Sequence, residues 1–332
     1  MKKLIYLISS ENFMPLVDLP LNELKAYKPR LTKTKDFERF WKDNISRAKD
    51  QPLNAKIKKV DYFSKKVEVS KLIFDGFIDR TPITGYFIKS IDDNEPMPAI
   101  VSIHGYSGSK GTVSDYLGWI TLGFTVLTID VRGQGGEAPD HAMYDVGNIT
   151  GNMTKGIQDR NKYYYRYVFM DCYRALDYIK TRKDVDTKRI AVSGISQGGG
   201  LTVVTAALHS NVSLALPSVP YLCHFDRAVY VAETGPYLEI LNYLKTHPED
   251  EEKVLETLSY FDAMNFAPKI NVPVLMSVGL IDVVCPPSTV LAAFHHLGSK
   301  EKELAIYPGM AHEDINIHVE RKMNFAAKRF LI

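Results

Sequence analysis

The chain has 332 residues, 45% hydrophobic and 24% charged, which is ordinary for a globular protein with a sizeable core. A formal net charge of +2 gives no electrostatic footprint for nucleic acid or an anionic membrane surface. The three cysteines, Cys172, Cys223 and Cys285, have no C-x-x-C spacing, which argues against a disulfide framework and for a reducing compartment.

The first ten residues faintly resemble an export signal. Their apolar run, Leu4 to Ile8, is shorter than a usual signal core, and no small-x-small site follows. No later run is long and apolar enough to suggest a transmembrane helix. Leu21 to Tyr27 and Asp36 to Lys49 read as short surface helices, with Asp36 as the N-cap of the second. From Val67 the pattern turns to antiparallel strands, Val67 to Phe74 and Ile83 to Ile88, separated by Asp75-Gly76.

Short apolar runs then alternate with helical stretches. The runs are Ala99 to Ile103, Phe124 to Ile129, Arg189 to Ser193, Leu214 to Leu216, Val274 to Val278 and Glu303 to Tyr307. Helices are expected over Thr112 to Leu122, Tyr165 to Thr181, Gly198 to His209, Pro287 to Leu297 and Val319 to Phe330. Strands with little alternation are covered on both faces, so the expected class is α/β: a mostly parallel, mixed sheet with helices on both sides. Gly133 to Asn161 reads as a long loop, and Tyr221 to Pro268 as a helical insertion over the site. No repeat or low-complexity segment is evident.

The sharpest motif is Gly194-Ile195-Ser196-Gln197-Gly198, which follows a strand run and opens a helix. In that context G-x-S-x-G is a nucleophile turn: the serine takes a strained conformation and glycines stand where side chains would clash. A serine hydroxyl needs a base, and the base needs an orienting acid. In this arrangement the acid and then the histidine follow the serine in sequence. Asp282, just past the run ending at Val278, and His312, after the run ending at Tyr307, meet that order. His209, His224 and His247 precede Asp282, His295 and His296 lie within a helix, and His318 begins one. A histidine base makes turnover fall as His312 is protonated.

Acyl transfer also needs two N–H donors for the oxyanion. The expected donors are the amides of Gln197 and Tyr106; Tyr106 lies in the glycine-rich loop His104 to Gly111, and its ring is expected to wall the acyl pocket. Asp130 precedes the serine, which weakens it as a rival acid. Arg132 is expected to brace loops near the site through buried hydrogen bonds, with Gln134 in the same segment. Tyr163, Tyr164, Tyr165 and Tyr167 read as packing and rim, and Cys285 as a packing thiol. No Cys/His set has metal-binding spacing, so no metal is expected.

Arg132-Gly133-Gln134, the Gly194–Gly198 motif and His312-Glu313 together resemble the signature of the acetyl xylan esterase / cephalosporin C deacetylase family, carbohydrate esterase family 7. The stretches Met14 to Leu21, His104 to Tyr106, Leu222 to Phe225 and Asp282 to Thr289 are similar as well, so the resemblance runs from Met14 to the C-terminus. It implies one α/β-hydrolase domain over 14–332, carrying 221–268 as its insertion. It implies removal of acetyl groups from small acetylated xylo-oligosaccharides and from cephalosporin C, without a cofactor, by a cytoplasmic homo-hexamer. In that assignment Ser196 is nucleophile, His312 base and Asp282 its partner, with the Tyr106 and Gln197 amides as oxyanion hole. Residues 1–13 depart from the family pattern and read as an extension, either a misassigned start upstream of Met14 or a weak export signal. The alternative is another enzyme of this fold, a peptidase or a broad-specificity esterase.

Overall fold

The computed structural model describes residues 17–144 and 151–331. The expected extension, 1–13, lies outside them. Among the described residues nine strands make one sheet: β1 (Lys56–Val60), β2 (Val67–Asp75), β3 (Pro82–Ser90), β4 (Met97–Ile103), β5 (Thr125–Ile129), β6 (Val185–Ile195), β7 (Val212–Ser218), β8 (Val274–Gly279) and β9 (Lys302–Tyr307). Their spatial order is β1-β2-β3-β5-β4-β6-β7-β8-β9. The β1-β2-β3-β5 side pairs antiparallel, and every pairing from β5 through β4 to β9 is parallel. This is the mixed α/β sheet expected from the strand rhythm. β1 is an addition to that reading: Lys56-Ile57-Lys58-Lys59-Val60 is exposed along its whole length, so it carries no buried face to betray it.

Eleven α-helices are described: α1 (Leu21–Ala26), α2 (Phe37–Asp50), α3 (Leu117–Thr121), α4 (Tyr164–Lys180), α5 (Gln197–Leu208), α6 (Phe225–Val231), α7 (Tyr237–Thr246), α8 (Glu251–Ser259), α9 (Ala263–Phe266), α10 (Pro287–His296) and α11 (Asn316–Phe330). No helix among the described residues is long and apolar enough to cross a membrane. Alternate side chains of the central strands enter two separate cores. Val101, Val192 and Met276 face one with α4, α5 and α10, while Ile100, Ala191 and Leu275 face the other with Trp119 and Phe325. The helix expected over Thr112 to Leu122 is a 3-10 turn (Val113–Tyr116) running into α3.

Chain order at the sheet centre locates the site. From β4 the chain passes to β5 on one side, then returns to β6 on the other, so β4 and β6 are neighbours whose following loops diverge. Ligands of open α/β sheets bind at such a switch point, at the carboxyl ends of the strands. Helices α6 to α9 fill the interval between β7 and β8. Below them α2 is an anchor: Trp41 is fully buried against Phe169, Phe261 and Phe266, and its Nε1 donates to the Tyr260 carbonyl at 2.9 Å. Asp36 stands at the N-cap of α2, but its side chain makes no cap bond and pairs instead with Arg160 and Tyr260.

Trp41→Ala removes that anchor and should cost about 3–5 kcal/mol of stability, read as a lower urea midpoint with an unchanged m-value. A loss below about 1 kcal/mol would show that the aromatic cluster does not hold α2 to the body.

Candidate active site

Ser196 stands between β6 and α5 with φ 57° and ψ −117°, a combination most L-residues avoid. Three backbone bonds pin it: Ser196 N donates to Ser218 O at 3.0 Å, and Ser196 O accepts from Gly200 N at 3.0 Å and Tyr221 N at 2.9 Å. The motif glycines are a packing requirement. A Cβ on Gly198 would lie 1.9 Å from the Ile103 carbonyl oxygen, and one on Gly194 would lie 2.5 Å from the same atom. Only bare backbone lets the end of β4 press against the Ser196 turn. That contact brings the loop after β4 to the serine, with Gly105 beside it: a Cβ there would meet Ser196 Cβ at 3.7 Å.

Asp282 and His312 reach the same point from the loops after β8 and β9. His312 Nε2 is 2.8 Å from Ser196 Oγ, and His312 Nδ1 is 2.8 Å from Asp282 Oδ2. Asp282 is fully buried, and its Oδ1 also accepts from the amides of Val284 and Cys285 at 2.8 Å each. Three donors facing one carboxylate fix its orientation. A carboxylate that accepts from Nδ1 puts the imidazole proton on that nitrogen, which leaves Nε2 free to accept from the serine hydroxyl. Ser196 and His312 are partly open to solvent, whereas the acid is not. The three residues singled out by their order in the sequence therefore form one continuous hydrogen-bonded line.

Tyr106 and Gln197 flank that line. Neither backbone N–H has an acceptor among the described residues. Gln134 ties the two segments together. Its Oε1 accepts from Ser107 N at 2.8 Å and from Gln197 Nε2 at 3.1 Å, and its Nε2 donates to Gln197 Oε1 at 2.8 Å. Tyr165 adds a hydroxyl donor to Gln197 Oε1 at 2.9 Å, and Tyr164 donates to the Arg132 carbonyl at 2.6 Å. Tyr163, Tyr164 and Tyr165 are fully buried, and burial pushes their hydroxyls well above the usual tyrosine range. They are not rim residues but pack in the core, Tyr163 at the N-cap of α4 and Tyr164 and Tyr165 in its first turn; Tyr165 braces Gln197, and Tyr164 the segment from Arg132 to Gln134.

Arg132 is buried in a charge cluster, donating from Nε to Asp171 at 2.6 Å and from Nη1 to Asp79 at 2.7 Å. Asp130, the rival acid, faces Lys110 at 2.8 Å and Thr84 at 2.5 Å rather than an imidazole. Of the rival histidines, His295 and His296 hydrogen-bond instead to the backbone oxygens of Tyr27 and Pro29. Asp282, Cys285 and His312 bring possible metal-donor atoms within 4.8 Å of one another, but both oxygens of Asp282 are already occupied by the hydrogen bonds above. Cys285 is fully buried, with its thiol pushed well up by burial.

The model of the acetyl xylan esterase family matches residues 14–329. Two solved structures are similar throughout. An acetyl xylan esterase from Paenibacillus sp. R4 is 44% identical with a TM-score of 0.91, over 94% of this chain and 100% of that one. Acetyl xylan esterase 1 from Thermoanaerobacterium sp. JW/SL YS485 is 31% identical with a TM-score of 0.89, over 94% and 99%. The acetyl esterase Axe7A of Xylanibacter ruminicola is 31% identical over 269 residues, 79% of this chain, which spans 60% of Axe7A's length.

Gln134→Ala unties both amide-bearing segments without touching the Ser196–His312–Asp282 line. Ester turnover should fall about 10–100-fold, less than the roughly 10²–10³-fold of losing an oxyanion donor outright. Unchanged steady-state rates would mean the two segments hold their geometry without it.

Proposed function

We propose that this chain, which belongs to the acetyl xylan esterase family, is a serine carboxylester hydrolase that removes acetyl groups from small acetylated carbohydrates through an acetyl-enzyme. The observation that carries the mechanism is the unbroken line from Ser196 Oγ through His312 to Asp282, at 2.8 Å for each link. Family membership and similarity to acetyl xylan esterases support the acetyl ester as substrate.

Ser196 Oγ attacks the acetyl carbonyl carbon while His312 Nε2 takes its proton. The carbonyl oxygen becomes an oxyanion and accepts from the Tyr106 and Gln197 amides. Two fixed donors aimed at the developing oxyanion stabilise that charge more than they stabilise the neutral ester. Collapse breaks the bond to the sugar oxygen, which leaves with the proton held by His312. Water then attacks the acetyl-serine, His312 again taking and returning a proton, and acetate departs. Asp282, bound to His312 Nδ1, orients the ring and steadies the imidazolium.

On the family's pattern we extend the proposal to deacetylation of cephalosporin C, to a homo-hexameric assembly and to a cytoplasmic site of action. The formal net charge of +2 gives no reason for a nucleic-acid or membrane partner.

Initial rates on acetylated xylo-oligosaccharides, and on p-nitrophenyl acetate, butyrate and octanoate, test the substrate. The acetyl esters should be fastest, and a preference for octanoate overturns the acetyl assignment. Ser196→Ala should lower turnover by roughly 10⁴–10⁶-fold, and retained activity would remove the nucleophile.

A further inference from the structure

Tyr106 makes a contact that the reaction above does not use. Its hydroxyl donates to the carboxylate of Glu239 on α7, at 2.8 Å to Oε1 and 3.0 Å to Oε2. The same hydroxyl accepts from Asn152 N at 2.6 Å, and Glu239 Oε2 accepts from Met153 N at 2.9 Å. The backbone closes round the carboxylate: Gly151 has φ +87°, and a Cβ there would fall 2.1 Å from the Glu239 carboxyl carbon. A side chain at 151 would evict the carboxylate, so this is a fitted seat rather than a chance surface contact. Burial raises the affinity of Glu239 for a proton, opposed by the hydrogen bonds from Met153 and Tyr106.

The seat matters because of what the peptide between Gly105 and Tyr106 must do. A peptide unit is planar, so its N–H points opposite to its carbonyl and both turn together. The carbonyl edge is held: Gly105 O accepts from His104 Nδ1 at 2.7 Å and from Gly108 N at 3.0 Å. His104 is itself fixed, since its Nε2 accepts from Val131 N at 2.9 Å. Beyond the peptide, Ser107 N is held by Gln134. Tyr106, the remaining corner of the plane, makes no backbone–backbone hydrogen bond among the described residues and is held through its hydroxyl. Glycine at 105 tolerates a wide range of preceding dihedrals, so the plane is fixed by its contacts, the carbonyl bonds at one edge and the Tyr106 hydroxyl anchor at the other.

We propose that Glu239 is a positioning residue: by seating the Tyr106 hydroxyl it fixes the Gly105–Tyr106 peptide and aims the Tyr106 N–H at the developing oxyanion. The proposal rests on the serine-esterase reading. It makes α7, a helix between β7 and β8, part of the catalytic geometry without contact with the reacting atoms. Mispointing a donor weakens a bond made chiefly in the transition state, so the loss belongs in kcat and not in KM.

The test is a double-mutant cycle on p-nitrophenyl acetate, with thermal unfolding of each variant. Glu239→Ala and Tyr106→Phe should each lower kcat about 10–100-fold with KM within about twofold. The double variant should lose no more than either single, because both cut the same link. Glu239→Gln should stay within about threefold of the parent, since one oxygen at the Oε2 position still accepts from Tyr106 and Met153. Losses that multiply, a change confined to KM, or a Gln variant as impaired as the Ala variant would each overturn the proposal. A Glu239→Ala protein that fails to fold leaves Tyr106→Phe and Glu239→Gln to decide. If the parent has no acetyl esterase activity, or Ser196→Ala keeps it, the function has failed; if both behave and only the cycle does not, the positioning role alone has failed.

Discussion

The active end of the molecule depends on one backbone contact, the Ile103 carbonyl at the end of β4 pressed against the glycines that flank Ser196. Parallel pairing sets Ile103 opposite Gly194, and the absence of side chains at 194 and 198 lets the two segments close. That closeness holds Ser196 in a left-handed conformation, turns its hydroxyl out of the sheet and puts the loop carrying Tyr106 alongside. Strain of this kind costs of order 1–3 kcal/mol and persists only where the surroundings enforce it. Here the surroundings are the backbone bonds to Ser218, Gly200 and Tyr221.

Around that contact, polar groups are arranged in two tiers. Nearest the serine stand His312, Asp282 and the two free amides. Behind them, Gln134, Tyr164 and Tyr165 bind the amide-bearing segments together, and the buried Arg132–Asp171–Asp79 cluster ties down the chain that leads to Gln134. A buried ion pair of this sort adds little net stability but is costly to break, so it serves to fix one arrangement of the loops. The preorganisation that acyl transfer requires thus extends well beyond the groups that touch the ester.

The parts of this account legible in the sequence were local. Ser196 announced itself because the strand, turn and helix around it are contiguous, and Asp282 and His312 because each follows a strand run in the order the chemistry imposes. The sheet followed from apolar runs that lack alternation, whereas β1 escaped because its residues are exposed on both faces. The supporting tier was less legible, since its contacts join residues far apart in the chain: Gln134 meets Gln197, and Tyr106 meets Glu239, across 63 and 133 positions. Glu239 sits on an amphipathic helix where a glutamate is ordinarily a solvated face, and no spacing rule distinguishes it. The tyrosines read as packing and rim, and the packing part holds for Tyr163, Tyr164 and Tyr165: adjacent helical positions cannot share one buried face, and α4 is covered nearly all round.

The central claim is that Ser196, activated by His312, carries the acyl group. The most direct measurement is mass spectrometry of the intact and proteolysed protein after treatment with an organophosphonate that reacts only with activated serines. The account predicts one adduct, on the peptide containing Ser196, and its loss in a folded His312→Ala variant. An adduct on a different residue, or labelling of Ser196 that does not need the histidine, would contradict it.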